Sequence, residues 1–452
     1  MRGRIVHYER RTLMPVSADE LCAWHGREGA FERLNPPFAP VKVEERSGGL
    51  EVGARTVVSG VGPLGSRWVA QHTAYEPGRM FRDEQVSGPF KKWIHTHRFE
   101  PKSESTSELV DQIEYDLPLG GMGSLFGGSF TTHSLERMFA FRHALTRNDL
   151  SRHAQYAKRE RLTVAVTGAS GLVGSALIPF LTTGGHTVRA VKRKGTEFDA
   201  KALEGADVIV NLAGAGVADE RWTDDRKKLL IDSRIDYTRR LQAALKQSGT
   251  KPRVWLQSSA IGIYGDRGDE QLSEESKVGE PDPRGAGFLA KLCQDWESAG
   301  QEAHSLGSRV VCLRIGIVQS ASGGALSKFL PAFKAGVGGP LAGGRGWQSW
   351  VSLEDLLGII QFAAFEDSLS GPINCVGPHP VTNLEYARVL GRVLNRPSFA
   401  PLPAFALRAM FGELADGALL TSQRVLPKRL NESSFRFLHP MLDDALRFTL
   451  GR

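Results

Sequence analysis

The chain has 452 residues, of which 41% are hydrophobic and 24% charged, and it carries a net charge of +7. This length predicts two or three domains, and no apolar run is long enough to cross a membrane. Basic residues are not interleaved with aromatic ones in long runs, so we expect small anionic ligands and no nucleic acid. Four scattered cysteines without a C-x-x-C pair predict reduced thiols and a cytoplasmic protein.

Residues 1–150 predict an antiparallel sheet followed by a long helix. Short alternating runs, separated by Gly, Pro and Ser, recur at 54–58, 67–72, 93–99 and 108–115. A glycine-rich loop is expected at 120–128, and the helix is predicted by the apolar stripe of Leu135, Met138, Phe139 and Leu145. A curved sheet that closes on one long helix usually leaves an apolar cavity between them.

Two histidines of this part share one face of a predicted strand. His95 and His97 are two residues apart, so their side chains point to the same side and could bind a metal. The sequence shows no third ligand. We therefore expect ordinary hydrogen-bonded histidines and no metal site.

Several phrases of this first third resemble the START-like, helix-grip (SRPBCC) domain that is fused ahead of certain epimerase-family proteins. They lie at 34–38, 72–78, 87–90 and 95–99. The resemblance covers about residues 3–150 and implies a cavity for a hydrophobic ligand. The charged stretch 151–160 is predicted to be a linker.

The residues from 162 to 178 predict a buried strand, a glycine turn and a helix. Glycines stand at positions 168, 171 and 174, directly after the strand. This order places backbone N–H groups and a helix N-terminus against a pyrophosphate. An ordinary turn between strand and helix is the alternative. The residues expected to bind the cofactor here are Gly168, Ser170, Gly171, Leu172 and Val173.

The end of the second strand, Thr187–Val191, decides between NAD and NADP. A carboxylate here would accept hydrogen bonds from the ribose of NAD. The chain instead has Lys192 and Arg193, whose cations would pair with a 2′-phosphate. We therefore predict NADP(H) as the cofactor, with a solvated basic turn as the alternative.

Further buried strands are predicted at 206–214, 254–265 and 310–318. Small residues follow the first of them, as is needed where the backbone passes the adenosine ribose. Arg234, on a predicted helix, could reach back to the phosphates or could simply be exposed. The remaining residues expected at the cofactor are Leu212, Ala213, Gly214, Ser258 and Val318.

These motifs together resemble the extended branch of the short-chain dehydrogenase/reductase superfamily over about residues 161–375. The resemblance implies an α/β fold, a parallel Rossmann sheet with a substrate cleft at the carboxyl ends of its strands. Other phrases resemble the group of epimerase family proteins (NAD-dependent epimerase/dehydratase-like) and its small, mostly helical C-terminal domain; they lie at 323–326, 338–341, 350–356, 378–383, 395–397 and 423–430. We expect the Rossmann domain over 161–377 and the C-terminal domain, covering the cleft, over 378–452. Ser352 and Thr382 are predicted to begin helices as caps.

Catalysis in this superfamily, as the resemblance implies, needs a Ser or Thr that holds the substrate oxygen, a Tyr as acid or base, and a Lys four residues later. Lys291 is the candidate lysine, but Gly287 stands four residues before it. Ala260 stands at the hydroxyl position, beside Ser259. Ser259 and Tyr264 carry the nearest hydroxyls and are, with Lys291, the candidate catalytic residues. The motif of Tyr264 favours a cleft or packing residue over a replacement acid.

Two functions therefore remain open. The first is an NADP(H)-dependent oxidoreductase or epimerase that acts on a small molecule with unusual acid–base groups. The second is a catalytically inactive NADP(H)-binding module whose N-terminal domain captures an apolar ligand. The intact cofactor motifs favour the first, because hydride transfer is the chemistry of the cofactor and chiefly needs positioning.

Overall fold

The computed structural model describes residues 5–62, 65–118, 120–195, 197–279 and 286–452, with the backbone alone at 120–127, 194 and 286. Contacts divide the chain into two compact units. The first comprises the described residues up to Glu160, together with Pro179–Gly185 and Gly451, and the second comprises the rest. Within these described ranges, no helix is long and apolar enough to cross a membrane. All four cysteines are buried and unbonded to one another.

The first unit is a seven-stranded antiparallel sheet with three helices. The strand order is β1-β7-β6-β5-β4-β3-β2. Its core lies between the inward side chains of the sheet and the long helix, where Trp93, Ile113 and Tyr115 pack against Leu135 and Phe139. The elements are β1 (Val6–Met14), α1 (Ala18–Gly26), α2 (Ala30–Arg33), β2 (Lys42–Ser47), β3 (Arg55–Val61), β4 (Ser66–Glu76), β5 (Met80–Ser87), β6 (Lys92–Pro101), β7 (Ser107–Asp116) and α3 (Gly120–Ala154).

The four strands predicted here are confirmed as β3, β4, β6 and β7, but the sheet has three more, β1, β2 and β5. The loop expected at 120–128 is wrong, since α3 begins at Gly120. The low helix propensity of glycine is a weak prior that the rest of a long helix overrides. The same helix continues to Ala154 and so includes the first residues of the predicted linker, 151–160. Arg152 and His153 in its last turn are buried.

The second unit contains a six-stranded parallel sheet in the order β19-β15-β13-β12-β8-β9. Its strands read as continuous apolar runs because helices cover both faces. The strands from Arg161 onward are β8 (Thr163–Thr167), β9 (Thr187–Ala190), β10 (Arg193–Lys194), β11 (Glu197–Phe198), β12 (Val208–Asn211), β13 (Val254–Ala260), β14 (Gln271–Leu272), β15 (Arg309–Ile315), β16 (Ile317–Gln319), β17 (Trp347–Gln348), β18 (Trp350–Ser352), β19 (Gly371–Cys375), β20 (Val381–Thr382) and β21 (Arg424–Val425).

Helices connect these strands and follow the last of them. A π-helical turn, Asp232–Asp236, joins α6 to α7, and a 3₁₀ turn, Ile261–Tyr264, follows β13. The helices are α4 (Leu172–Thr183), α5 (Ala200–Leu203), α6 (Asp224–Ile231), α7 (Tyr237–Ser248), α8 (Ala286–Gln301), α9 (Gly324–Lys334), α10 (Leu353–Phe365), α11 (Asn383–Leu394), α12 (Ala404–Phe411), α13 (Lys428–Asn431) and α14 (Leu442–Leu450).

The strand order creates one switch point. From β8 the chain moves outward to β9 and then returns to β12 on the other side of β8. The connections after β8 and β12 therefore diverge above the carboxyl ends of these strands, and ligands of open α/β sheets bind in such a crevice. The glycine turn lies at this point.

The C-terminal residues fold mainly as helices and belong to the same compact unit as the parallel sheet. Leu390 and Val393 of α11 pack with Leu446 of α14 and with Trp350. The predicted caps are confirmed: the hydroxyl of Ser352 accepts the N–H of Asp355, and that of Thr382 accepts the N–H of Glu385.

Candidate cofactor site

The turn after β8 has room only for glycine at two positions. Gly168 has a φ of 65°, and a Cβ there would lie 2.8 Å from the carbonyl carbon of Leu212. A Cβ on Gly174 would collide with the carbonyl oxygen of Gly168. The turn thus brings α4 close to the end of β8. Ser170 and Gly171 stay exposed, while Leu172 and Val173 begin the helix half-buried.

A buried polar network joins the ends of the neighbouring strands. Thr167 Oγ1 accepts the N–H groups of Leu212 (3.1 Å) and Ala213 (3.2 Å) and donates to Asn211 Oδ1 (2.8 Å). Asn211 in turn donates to Gln257 Oε1 of β13. These bonds hold the turn after β12 against the end of β8. The backbones of the two turns therefore lie close together at the crevice.

Arg234 lies beside this crevice and is buried, so the alternative of a solvated arginine is wrong. Its guanidinium donates to the carbonyl of Ala215 (2.9 Å) and lies 5.0 Å from the ring centre of Trp296. A Cβ on Gly214 would come within 3.0 Å of it. Burial lowers the pKa of Arg234, yet an arginine stays charged in proteins. A fixed positive charge therefore stands behind Gly214.

Lys192 and Arg193 are both exposed just after β9, next to the strand that carries the glycine turn. The guanidinium of Arg193 lies 5.6 Å from the ring centre of Tyr237. Residues 187–195 include no carboxylate. The end of β9 is therefore positive, as the sequence predicts.

Strand β13 carries two serines near its end, Ser258 and Ser259. Ser258 and Ser259 are buried, and among the described residues no group forms a hydrogen bond with Ser259 Oγ. A buried hydroxyl without a partner is uncommon, since it loses its bonds to water. Ser259 is therefore suited to hold a ligand oxygen.

Tyr264 lies at the end of the 3₁₀ turn and is fully buried. Its O–H lies 2.8 Å from Asn374 Oδ1 and 2.9 Å from the carbonyl of Ser273, and Arg314 donates to it at 2.9 Å. Burial raises the pKa of Tyr264, which Arg314 offsets only in part. These contacts bury the Tyr264 hydroxyl among three polar groups of the protein, an environment of the kind that its motif favours.

Lys291 lies on α8 with an exposed side chain that pairs with Asp295 one turn later. Gly287, one turn before it, is buried and offers no side chain. Val318, on the short strand β16, is half-buried. The residues that follow this strand lie close to Leu172 at the start of α4. A Cβ on Gly324 would come within 3.2 Å of the side chain of Leu172.

The first unit holds a cavity of about 240 Å³ between its sheet and helices. Its wall is mainly apolar, as expected for a curved sheet that packs on a long helix, but it also includes Asp83, His95, His97 and Arg142. His95 is hydrogen-bonded, as expected, since its Nε2 lies 3.1 Å from Asp111 Oδ1. The fold also supplies a neighbour that the sequence does not reveal, because Asp83 stands opposite His95 across β5 and β6. Burial lowers the pKa of His95, but hydrogen bonds to Asp111 and Asp83 outweigh it and raise the pKa to about 9.

A parallel sheet with a glycine turn at its switch point defines a Rossmann-type protein with an NAD(P)-binding fold. Three family models match the chain: NAD dependent epimerase/dehydratase family at 164–377, polyketide cyclase / dehydrase and lipid transport at 14–139, and a domain of unknown function at 402–449. An epimerase family protein of Mycobacterium bovis is 41% identical over 302 residues, covering 64% of this chain and 98% of that protein. The chain belongs to the epimerase family proteins of the NAD-dependent epimerase/dehydratase class.

Two solved structures resemble the chain. A nucleoside-diphosphate sugar epimerase from Corynebacterium glutamicum is 31% identical, covers 98% of this chain and 90% of its own, and gives a TM-score of 0.79. The human epimerase family protein SDR39U1, solved with NADPH, is 30% identical and gives a TM-score of 0.58. It covers 64% of this chain and 98% of its own. The first of them matches both units, and the second matches a length similar to that from Arg161 onward.

Proposed function

We propose that the chain is an NADP(H)-dependent oxidoreductase or epimerase that binds a small-molecule substrate in the crevice above the parallel sheet. The observation that carries the proposal is the positive end of β9, with exposed Lys192 and Arg193 and no carboxylate, one strand from the glycine turn. Cations at this place select a 2′-phosphate over a free ribose hydroxyl. The human relative, solved with NADPH, supports the same choice.

The residues of the crevice fit a dinucleotide. The twelve-residue α4 begins directly after the glycine turn, and the N-terminus of such a helix suits a pyrophosphate. The turn itself is closed by a hydrogen bond from the N–H of Gly171 to the carbonyl of Gly168 (2.9 Å). Arg234 adds a fixed charge behind Gly214, close to the same place. When bound, the cofactor supplies hydride transfer, and the protein has to position the substrate against it.

Within this proposal, Ser259 holds the substrate oxygen through its unpartnered buried hydroxyl. Lys291 contacts the ribose of the cofactor, for which it must leave its exposed ion pair with Asp295. Such pairs contribute little stability, so the exchange costs little. Tyr264 acts only by supporting the end of β13. The active site is thus atypical, because Gly287 removes the tyrosine that would move the proton.

The experiment is a turnover assay of the full chain with NADPH and a panel of carbonyl compounds and sugar nucleotides. We expect NADPH oxidation with at least one class, and we expect Ser259→Ala to lower kcat by at least tenfold without changing the Kd of NADPH. Ser305→Ala is the control, since this exposed serine lies in the turn Glu302–Leu306 before β15, at the amino end of that strand. Turnover that Ser259→Ala leaves unchanged would contradict the role of Ser259.

A second candidate is a cofactor-binding module without catalysis, whose first unit captures an apolar ligand. The mainly apolar cavity and the buried Gly287 favour it. It expects tight NADPH binding with no oxidation across the panel, and saturable binding of an environment-sensitive apolar dye that a fatty acid displaces. Turnover with any substrate class would reject this candidate.

A further inference from the structure

Four charged or titratable side chains meet on the inner face of the first sheet. Alternation along β5, β6 and β7 turns Asp83, His95, His97 and Asp111 inward. The strand register then pairs Asp83 with His95 and His97 with Asp111. Three adjacent strands thus bring two imidazoles and two carboxylates together at one end of the apolar cavity.

Three of these side chains offer one donor atom each to a common point. His95 Nδ1 lies 3.3 Å and His97 Nε2 lies 3.7 Å from Asp83 Oδ1, and all three atoms lie within 4.8 Å of one another. Bonds of about 2.1 Å to one metal ion place neighbouring donors about 3.4 Å apart in a tetrahedral site. The cluster therefore needs only small side-chain rotations to surround an ion.

Asp111 stands behind the two histidines, away from the cavity wall. Its Oδ1 lies 3.1 Å from His95 Nε2 and 2.6 Å from His97 Nδ1, the latter at an angle that is poor for a hydrogen bond. A carboxylate accepts N–H groups, so Asp111 favours protons on these far nitrogens. A metal ion that binds here displaces any proton from the near nitrogens, which face Asp83, and uses their lone pairs. Histidines that bind metals are usually oriented by a carboxylate in this way.

A further histidine fixes Asp111 in place. His143 of α3 bonds Asp111 Oδ2 at 2.7 Å through Nε2 and Thr12 Oγ1 at 2.8 Å through Nδ1. Asp111 is therefore engaged on both oxygens and is not free to act as a ligand itself. Asp83, in contrast, lines the cavity with the two near nitrogens.

We propose that Asp83, His95 and His97 form a binding site for a divalent first-row transition-metal ion in the first unit. Two imidazoles and one carboxylate suit Zn²⁺ and Fe²⁺, and not Mg²⁺ or Ca²⁺, which prefer oxygen ligands. Three protein ligands leave further positions open. These positions face the cavity, so an exchangeable water or a ligand oxygen completes the coordination.

The test uses the full chain after removal of metal with a chelator. Calorimetric titration with Zn²⁺ is expected to show one ion per chain, and Co²⁺ is expected to give the visible absorption of a site with nitrogen ligands. Asp83→Asn, which keeps the shape of the side chain, should weaken Zn²⁺ binding more than tenfold. Asp111→Asn should weaken it about 10- to 100-fold through the orientation of the histidines. His133→Ala, an exposed histidine on α3, should change nothing.

A fold defect is kept apart from a lost ligand in two ways. His97→Gln removes a ligand on another strand, and circular dichroism of each metal-free variant reports its folding. X-ray absorption of the Zn²⁺-loaded natural chain counts imidazole ligands without any substitution, and two are expected. Absence of stoichiometric binding, equal affinity of Asp83→Asn and the natural chain, or a spectrum without imidazole would overturn the site.

Discussion

Tyr264 lies at the centre of a buried polar network. Its hydroxyl joins Asn374, Ser273 and the guanidinium of Arg314, which also forms a two-point ion pair with Glu297 at 2.9 and 3.0 Å. Loss of the hydroxyl leaves these buried groups without a partner. The network therefore links the end of β13 to β15 and β19.

We expect Tyr264→Phe to lower the free energy of unfolding by about 2 kcal/mol, because buried polar groups that lose a partner cost about 1–3 kcal/mol. The Kd of NADPH should stay unchanged, since the ring still fills its place. Denaturant unfolding and fluorescence titration measure the two quantities. A loss of turnover at full stability would instead make Tyr264 a catalytic residue.

Arg193 carries the cofactor preference that we propose. We expect the natural chain to bind NADPH at least tenfold more tightly than NADH, which corresponds to about 1.4 kcal/mol. Arg193→Asp should abolish or reverse this preference, because a carboxylate repels a 2′-phosphate and accepts a ribose hydroxyl.

Titration of both cofactors into the two proteins tests this preference. Lys246→Asp is the matched control, since it makes the same charge change at an exposed position. Lys246 lies near the end of α7, which leads into the amino end of β13, whereas Arg193 follows the carboxyl end of β9. Equal affinities of the natural chain for NADPH and NADH would disprove the choice of NADP(H).

At the scale of elements, helix α11 shows how a short sequence pattern sets a boundary. Thr382 caps its first turn, and Asn395 ends it in the left-handed region with a φ of 52°. We expect Thr382→Ala to cost about 1 kcal/mol, because one N–H of the first turn loses its acceptor. Thr382→Ser should keep most of this stability, since the hydroxyl remains. A thermal melt compares the two, and equal loss in both would show that the methyl group, not the cap, matters.

His25 on α1 makes the first unit sensitive to acid. Its pKa is lowered to about 4, chiefly by burial and then by His97, while the hydrogen bond to the Leu21 carbonyl and Asp111 offset this only in part. The unfolded chain, with an ordinary pKa near 6.5, therefore binds more protons than the folded unit between these values. The contribution of His25 to stability is complete above pH 6.5 and is lost as the pH falls through 4.

The full effect of His25 amounts to about 3 kcal/mol. Hydrogen exchange of the amides of β6, compared at pH 7 and pH 5, measures the stability of this unit. We expect His25→Gln to show a smaller loss between these two values than the natural chain, and the exposed His133→Gln to behave like the natural chain. An unchanged pH dependence in His25→Gln would contradict the prediction.

The elements also show which parts of the molecule could be predicted from the sequence. Glycine turns, caps and buried strands depend on neighbours in the chain, and β8, β13, α10 and α11 follow the predicted patterns. Strand β5 could not be predicted, because apolar and polar residues alternate only weakly along it. Asp83, which lies on this strand, was therefore missed as well. The pairing of Asp83 with His95 depends on strand register, which the sequence around His95 does not encode. Likewise, the partners of Tyr264 come from β15 and β19, far along the chain.

At the scale of the whole molecule, some relatives match nearly the whole chain and others match only about two thirds of it. The match to the relative from Mycobacterium bovis covers 98% of that protein but only 64% of this chain. The residues from Arg161 onward make up about the same share of the chain. The Corynebacterium glutamicum structure matches 98% of the chain. A protein of the length of the second unit therefore exists by itself, whereas both units also occur together.

We expect a fragment of residues 161–452 to bind NADPH with the same Kd as the full chain, because the residues that we assign to the cofactor lie in the second unit. Its melting temperature should be lower. The segment Pro179–Gly185 belongs to the first unit, and its Phe180 and Leu181 are buried in the full chain. Removal of residues 1–160 exposes this apolar surface to water. Phe180→Ser in the fragment should recover solubility without changing the Kd. A folded fragment that binds NADPH more than tenfold weaker would show that the first unit takes part in cofactor binding.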